Sequence, residues 1–181
     1  KVEHLEMKEG VTVSPVIRSK DLVSVDIPST IVNVLGFGHD MYVPESSFGI
    51  EFNISNGANA KVVDGYLTNL DGSVIYKCNT VGTDLHLDYD VVVGNYAFSC
   101  YPDTIYFYND VQSVGECAFY STVVVCENII KNAGKQSFEN SQISGLRGTV
   151  DVTGFVQKSA FAGATFLCDE LYINCECYST S

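Results

Sequence analysis

Short alternations of apolar and polar residues recur along the chain. Because alternate residues of a β-strand share a face, the outer two side chains of each apolar-x-apolar triplet are expected to enter a core and the middle one to face solvent. Weaker copies near Leu5 and Val25 extend the pattern towards the N-terminus. The clearest copies are Leu85-His86-Leu87, Ile105-Tyr106-Phe107, Val124-Val125-Cys126, Val150-Asp151-Val152 and Leu171-Tyr172-Ile173. The pattern predicts a series of short strands.

A second motif, V-G-x-x-A-F, recurs with the triplets. Two copies match it fully and two with small changes, and their Phe residues are separated by 21, 19 and 23 positions. A period near 21 is typical of stacked units, each of which buries its apolar face only against its neighbours. We therefore expect a solenoid with a column of Phe in its core and short helical or 3-10 turns opposite the strands. The copies occupy residues 93–98, 114–119, 133–138 and 156–161.

One segment departs from the repeat. Residues 47–80 lack the Ala-Phe signature, and Val62–Leu67 and Val74–Tyr76 flank the pair Asp71-Gly72. Because Asp-Gly is a preferred type I′ pair, this segment is predicted to form a β-hairpin. The expected organisation is a single domain with N-terminal repeats over 1–46, a hairpin insert over 47–80 and C-terminal repeats over 81–181.

Composition narrows the classes of partner. The chain has 181 residues, with 10 Lys and Arg against 22 Asp and Glu, which gives a formal net charge of −12. Such a charge repels phosphate backbones and anionic lipid surfaces, so nucleic acid is not expected as a partner. No run of about 18 apolar residues occurs, which argues against a transmembrane helix.

The repeats resemble a known family. The apolar triplets, the V-G-x-x-A-F motif, the step Ile27-Pro28-Ser29-Thr30-Ile31 and the Asp-Gly hairpin are similar to the BspA-type leucine-rich repeats of bacterial and protist surface proteins. The resemblance covers most of the chain. It implies a β-rich α/β solenoid, a right-handed leucine-rich-repeat superhelix with a parallel β-sheet on its concave face. It also implies non-catalytic display and adhesion at the cell surface or after secretion.

Few residues suggest chemistry. Asp84, His86 and Asp88 alternate with apolar residues and could share one strand face, which is a conceivable cation site; we favour a solvated strand face because nothing indicates a closed set of ligands. The pair Cys175 and Cys177 could be redox-active or form a disulfide, but is interpreted as a core edge because no feature of a reactive thiol accompanies it. We expect no catalytic residues, no metal and no cofactor.

The predicted strand face is the candidate binding surface. Exposed tyrosines supply anchors and carboxylates supply specificity, so a protein or peptide partner with a basic patch is expected. A host surface or matrix protein is one such partner. Tyr106, Tyr108 and Tyr172 are the predicted hot spots. The alternative is a structural spacer within a larger surface protein, and the lack of polar capping repeats also makes an end-to-end oligomer conceivable. The candidate residues are Asp84, His86, Asp88, Tyr106, Tyr108, Asp151 and Tyr172.

Overall fold

The chain folds as a β-solenoid of about eight turns with parallel sheets. A computed structural model describes residues 2–19, 21–38, 49–79, 84–99, 101 and 103–177, without the side chains of Arg18 and Cys177. These residues form strands and turns and no helix. The solenoid expected from the repeats is therefore confirmed, whereas its expected helical turns are not.

The N-terminal turns of the solenoid carry very short strands. Three of them, β1, β4 and β7, form a parallel three-stranded sheet, and the pairs β2 with β5 and β3 with β6 are also parallel. The strands are β1 (His4–Glu6), β2 (Val13–Ser14), β3 (Ile17–Arg18), β4 (Ser24–Ile27), β5 (Asn33–Val34), β6 (Phe37–Gly38) and β7 (Glu51–Ile54).

Two larger sheets build the rest. A five-stranded sheet has the order β11-β13-β15-β17-β19, and a long sheet of eight strands has the order β20-β18-β16-β14-β12-β10-β9-β8. The antiparallel segment contains β8 (Lys61–Val63), β9 (Tyr66–Thr68) and β10 (Val74–Cys78). The five-stranded sheet contains β11 (Leu85–Leu87), β13 (Thr104–Phe107), β15 (Val123–Cys126), β17 (Gln142–Gly145) and β19 (Thr165–Leu167). The long sheet continues through β12 (Val91–Val93), β14 (Val111–Val114), β16 (Ile129–Ala133), β18 (Thr149–Val156) and β20 (Glu170–Cys177).

The predicted hairpin exists, but its tight turn is elsewhere. Strands β8 and β9 are antiparallel neighbours joined by Asp64-Gly65, whose φ angles of 49° and 82° are both positive. A type I′ turn needs that combination, and glycine adopts it without steric cost. The prediction of a type I′ pair at Asp71-Gly72 is wrong, because only Gly72 has a positive φ there. The Asp71 side chain instead accepts hydrogen bonds from Ser73 in a longer connection.

Part of the predicted insert over 47–80 belongs to the N-terminal sheet. Strand β7, which lies inside the predicted insert, pairs in parallel with β4 and so continues the N-terminal sheet. The antiparallel segment starts at Lys61, and β10 pairs in parallel with β12. The hairpin is thus an integral part of the long sheet.

Strand β10 lies between two hydrophobic cores. Its residues Ile75 and Cys78 pack into the C-terminal core, whereas Tyr76 packs into the N-terminal core. The side chain of Lys77 is also buried, and its ammonium donates to the carbonyl of Tyr96 at 3.2 Å. The strand therefore has no face available for solvent contact and joins the two halves of the solenoid.

A column of phenylalanines runs through the C-terminal core. Neighbouring rings of Phe98, Phe119, Phe138 and Phe161 stack with centroid separations of 5.4, 5.0 and 5.1 Å. Phe119, in the middle, is fully buried. The predicted core function of the V-G-x-x-A-F motif is confirmed, since one ring per turn fills the space between the sheets.

The motif forms turns because its backbone groups bond between turns of the solenoid. Phe98 N–H donates to Ala118 O at 2.8 Å and Phe119 N–H donates to Ser137 O at 2.7 Å. An α-helix would instead satisfy these groups within its own segment. The second variable residue of the motif is also left-handed in all four copies, with φ between 51° and 60° at Tyr96, Cys117, Gln136 and Ser159. A left-handed residue interrupts a right-handed helix.

The last repeats are shifted relative to the predicted strand face. Cys126 and Ile130 are four residues apart, whereas their register partners Gly145 and Val152 are seven apart. The three extra residues place the triplet 150–152 in the long sheet, and the triplet 171–173 follows it there. Residues 142–145 and 165–167 occupy the five-stranded sheet instead. Leu171 and Ile173, expected in a core, are 39% and 57% exposed on β20.

Replacing Phe119 with Ala should lower the free energy of unfolding by about 3 to 5 kcal/mol, because it leaves a cavity in a column of stacked rings. Denaturant unfolding followed by circular dichroism measures this loss. Phe155→Ala is the matched control, since that ring is 51% exposed and its loss should cost far less. Equal unfolding midpoints for the two variants would contradict the core position of Phe119.

Candidate binding surface

Three aromatic side chains stand together on the outer face of the five-stranded sheet. The rings of His86 and Tyr106 are 4.7 Å apart and inclined by 10°, and those of His86 and Tyr108 are 5.8 Å apart and inclined by 9°. Tyr106 and Tyr108 are 6.4 Å apart and inclined by 13°. We call these three residues the aromatic strip. Its rings lie outside both hydrophobic cores.

Strand register positions the strip. His86 of β11 is the register partner of Tyr106 of β13, so both middle residues of their triplets point outwards side by side. Tyr108 follows β13 directly, where its N–H donates to Leu87 O at 2.9 Å. The Tyr108 hydroxyl and His86 Nδ1 share a hydrogen bond of 2.7 Å. Backbone and side chain of Tyr108 are both fixed, which gives the strip a defined shape.

Carboxylates flank the strip. Asp84 and Asp88 are exposed at the two ends of β11, and Asp84 accepts a hydrogen bond of 3.0 Å from Thr104 N–H. Glu127, on the far side of Tyr108 along the sheet, forms an ion pair with Arg147. Among the described residues, no group of three His, Cys, Asp or Glu side chains is arranged to hold a metal ion. Asp84, His86 and Asp88 therefore offer separate polar contacts.

A cleft of about 370 Å³ adjoins His86 on the side of the β8–β9 hairpin. Tyr66 and Tyr89 line it, and burial raises the pKa of both hydroxyls above the ordinary tyrosine value. Both therefore remain protonated hydrogen-bond donors well into the alkaline range. Lys61 and Asp64 add one charge of each sign to the lining. The cleft can accept a polar side chain of a molecule bound along the strip.

Asp151 and Tyr172 lie on another sheet, which corrects the prediction of one continuous face. They are register partners in β18 and β20 of the long sheet. The three-residue lengthening before Thr149 moved their triplets from one sheet to the other. The five remaining candidates, from Asp84 to Tyr108, share the outer side of β11 and β13. The structure thus brings together five of the seven predicted site residues.

The sequence did not reveal every part of this surface. The cleft depends on the β8–β9 hairpin, whose turn is the pair Asp64-Gly65, although the pattern of apolar residues places this pair within the predicted strand Val62–Leu67. The true partner of the strand Val123–Cys126 is Ile143-Ser144-Gly145. The spacing of the repeats indicates this partner, because Ile143 follows Val124 by 19 residues just as Val124 follows Ile105.

Comparisons with protein-family models, curated proteins and solved structures give no match. In the parts of the chain that the structure describes, no helix is long and apolar enough to cross a membrane.

Tyr172 should ionise at a higher pH than an ordinary tyrosine. Its hydroxyl donates to Glu170 Oε2 at 3.0 Å, and this bond to a carboxylate raises the tyrosine pKa because deprotonation would place two negative charges together. Glu170→Gln should bring the pKa back down. NMR of labelled tyrosine rings across the alkaline range measures it, with Tyr172→Phe assigning the resonance. An unchanged titration in Glu170→Gln would contradict the contact.

Proposed function

We propose that this protein is a non-catalytic binding module that recognises a protein or peptide partner through the aromatic strip and the carboxylates beside it. The observation that carries the proposal is the stacked arrangement of His86, Tyr106 and Tyr108 outside both cores. Aromatic side chains with fixed rotamers bury a large area on binding and lose little conformational entropy. An outward stack of this kind is suited to be an anchor.

The proposed partner carries a basic patch. Asp84 and Asp88 flank the strip, and the chain as a whole has a formal net charge of −12. Complementary charges accelerate encounter and disfavour acidic competitors. The cleft beside His86 would take one polar side chain of this partner. A host surface or matrix protein is the class of partner we favour.

We also propose that the chain is a divergent member of the BspA-type leucine-rich-repeat proteins, displayed on a cell surface or secreted. The support is the recurrence of V-G-x-x-A-F at equivalent positions of successive turns, together with a hairpin in the middle of the solenoid. The right-handed superhelix and the concave position of the binding sheet belong to this proposal. A structural spacer without a ligand is the alternative, in which the strip would serve only to stabilise neighbouring turns.

Replacing Tyr106 and Tyr108 with Ala should weaken binding to a purified extracellular-matrix protein by about tenfold or more, the usual effect of removing aromatic anchors. Surface plasmon resonance against a panel of such proteins measures affinity for the wild type and the double variant. Tyr172→Ala is the matched control, because this tyrosine is 54% exposed on the other sheet and should bind normally.

Two outcomes would overturn the placement of the site. The double variant could bind as tightly as the wild type, or Tyr172→Ala could cause the larger loss. If no matrix protein binds and the double variant unfolds at a lower temperature, the spacer is favoured. Circular dichroism of each variant separates loss of binding from loss of fold.

A further inference from the structure

A second groove lies on the outer face of the long sheet, away from the aromatic strip. Its volume is about 840 Å³. It is found where β14, β16 and β18 end and the chain enters the turns of the V-G-x-x-A-F motif. We call it the lysine groove. Its lining residues are Ser113, Val114, Asn132, Ala133, Gly134, Lys135, Phe155, Gln157 and Lys158.

A β-bulge places an aromatic ring in this groove. Register partners change from Lys131 with Thr153 to Ala133 with Val156, so β18 has one residue more than β16 over this interval. The extra residue turns Phe155 outwards, where the side chain is 51% exposed. Bulges commonly redirect a side chain in this way. A large apolar ring is thereby held in contact with solvent.

Asn132 fixes the bulge from the neighbouring strand. Its Oδ1 accepts from Phe155 N–H at 3.1 Å, and its Nδ2 donates to Gln112 O at 3.1 Å. Gly154 precedes the ring with a φ of 76°, and a Cβ there would lie 2.5 Å from Asn132 Oδ1. The sequence therefore maintains the bulge with two specific residues. Phe155 has a fixed backbone position before any ligand arrives.

The charge of the groove opposes that of the chain. Lys135 and Lys158 are its two ionisable lining residues, although acidic residues outnumber basic ones 22 to 10 overall. Lys135 Nζ lies 3.4 Å from Glu116 Oε1, and Glu176 of the neighbouring strand β20 is the register partner of Phe155. Lys158 is exposed and lines the same groove as the Phe155 ring. The exposed ring and the two lysines thus line one groove, with Glu116 beside Lys135 and Lys158 exposed to solvent.

We propose that the lysine groove binds an extended acidic peptide segment of another protein. An apolar side chain of the peptide would pack on Phe155, and a neighbouring carboxylate would pair with Lys158 and, in competition with Glu116, with Lys135. The groove lies on a sheet face, so recognition proceeds through side chains. This site is independent of the proposed function, because it lies on the other sheet and prefers the opposite charge.

Selection from a random peptide library displayed on phage tests the proposal. The wild type is the bait, and the soluble double variant Phe155→Ala/Lys158→Glu is present as competitor. We expect enriched peptides to combine a carboxylate with an adjacent apolar residue. Enrichment of basic peptides would overturn the proposal. So would a selection in which the double variant competes for every enriched peptide as well as the wild type does.

Fluorescence anisotropy with the best selected peptide then measures affinity. Lys158→Glu should weaken binding about tenfold or more, in line with the loss of a charged contact and a new repulsion. Phe155→Ala should weaken it several-fold, and Lys61→Glu and Tyr106→Ala should leave it unchanged. Equal affinity for Lys158→Glu and the wild type would overturn the site. If the wild type dimerises and Phe155→Ala abolishes the dimer, the occupant of the groove is a second copy of this chain. That result would overturn the proposal of a peptide ligand.

Discussion

Backbone hydrogen bonding between successive turns of the solenoid is the constraint on which the structure depends. The turns of the V-G-x-x-A-F motif donate their N–H groups to carbonyls of the next turn, as Phe98 does to Ala118. The strands bond in the same direction through parallel sheets. Nearly every contact is therefore between neighbours, as in other repeat proteins, and a single turn would leave its apolar face and its backbone groups unsatisfied.

Aromatic stacking serves two purposes in this molecule. Inside, rings such as Phe119 and Phe138 stack 5.0 Å apart and fill the core. Outside, His86 and Tyr106 stack 4.7 Å apart on the neighbouring strands β11 and β13 but face solvent. His86 and Tyr106 face outwards because side chains alternate between the faces of a sheet, whereas the Phe rings point inwards from the turns of the V-G-x-x-A-F motif. The backbone fold that forms the core therefore also positions the rings of the aromatic strip.

Local periodicity made the strands, the Phe column and the outward position of His86 and Tyr106 predictable. The conformation of the turns was not predictable in this way, because it involves bonds to another turn, such as that from Cys117 N–H to Lys135 O, which the local pattern of apolar residues does not indicate. The sheet to which Asp151 and Tyr172 belong depended on a length change around Gly145–Thr149, which alters register without altering the local pattern of apolar residues. The groove at Phe155 was not predictable because it depends on a β-bulge. A bulge is defined by the pairing of two strands and cannot be recognised in the sequence of one strand.

The longer connection between Gly145 and Thr149 shows how the solenoid accommodates insertions. Both sheets continue past it in parallel pairing, with β17 bonded to β15 and β18 bonded to β16. The added residues are taken up at the corner between the sheets, where extra loop length costs little conformational entropy. Such corners are places at which sequences of different length could be exchanged during evolution, or grafted by design, while the stacked core stays the same.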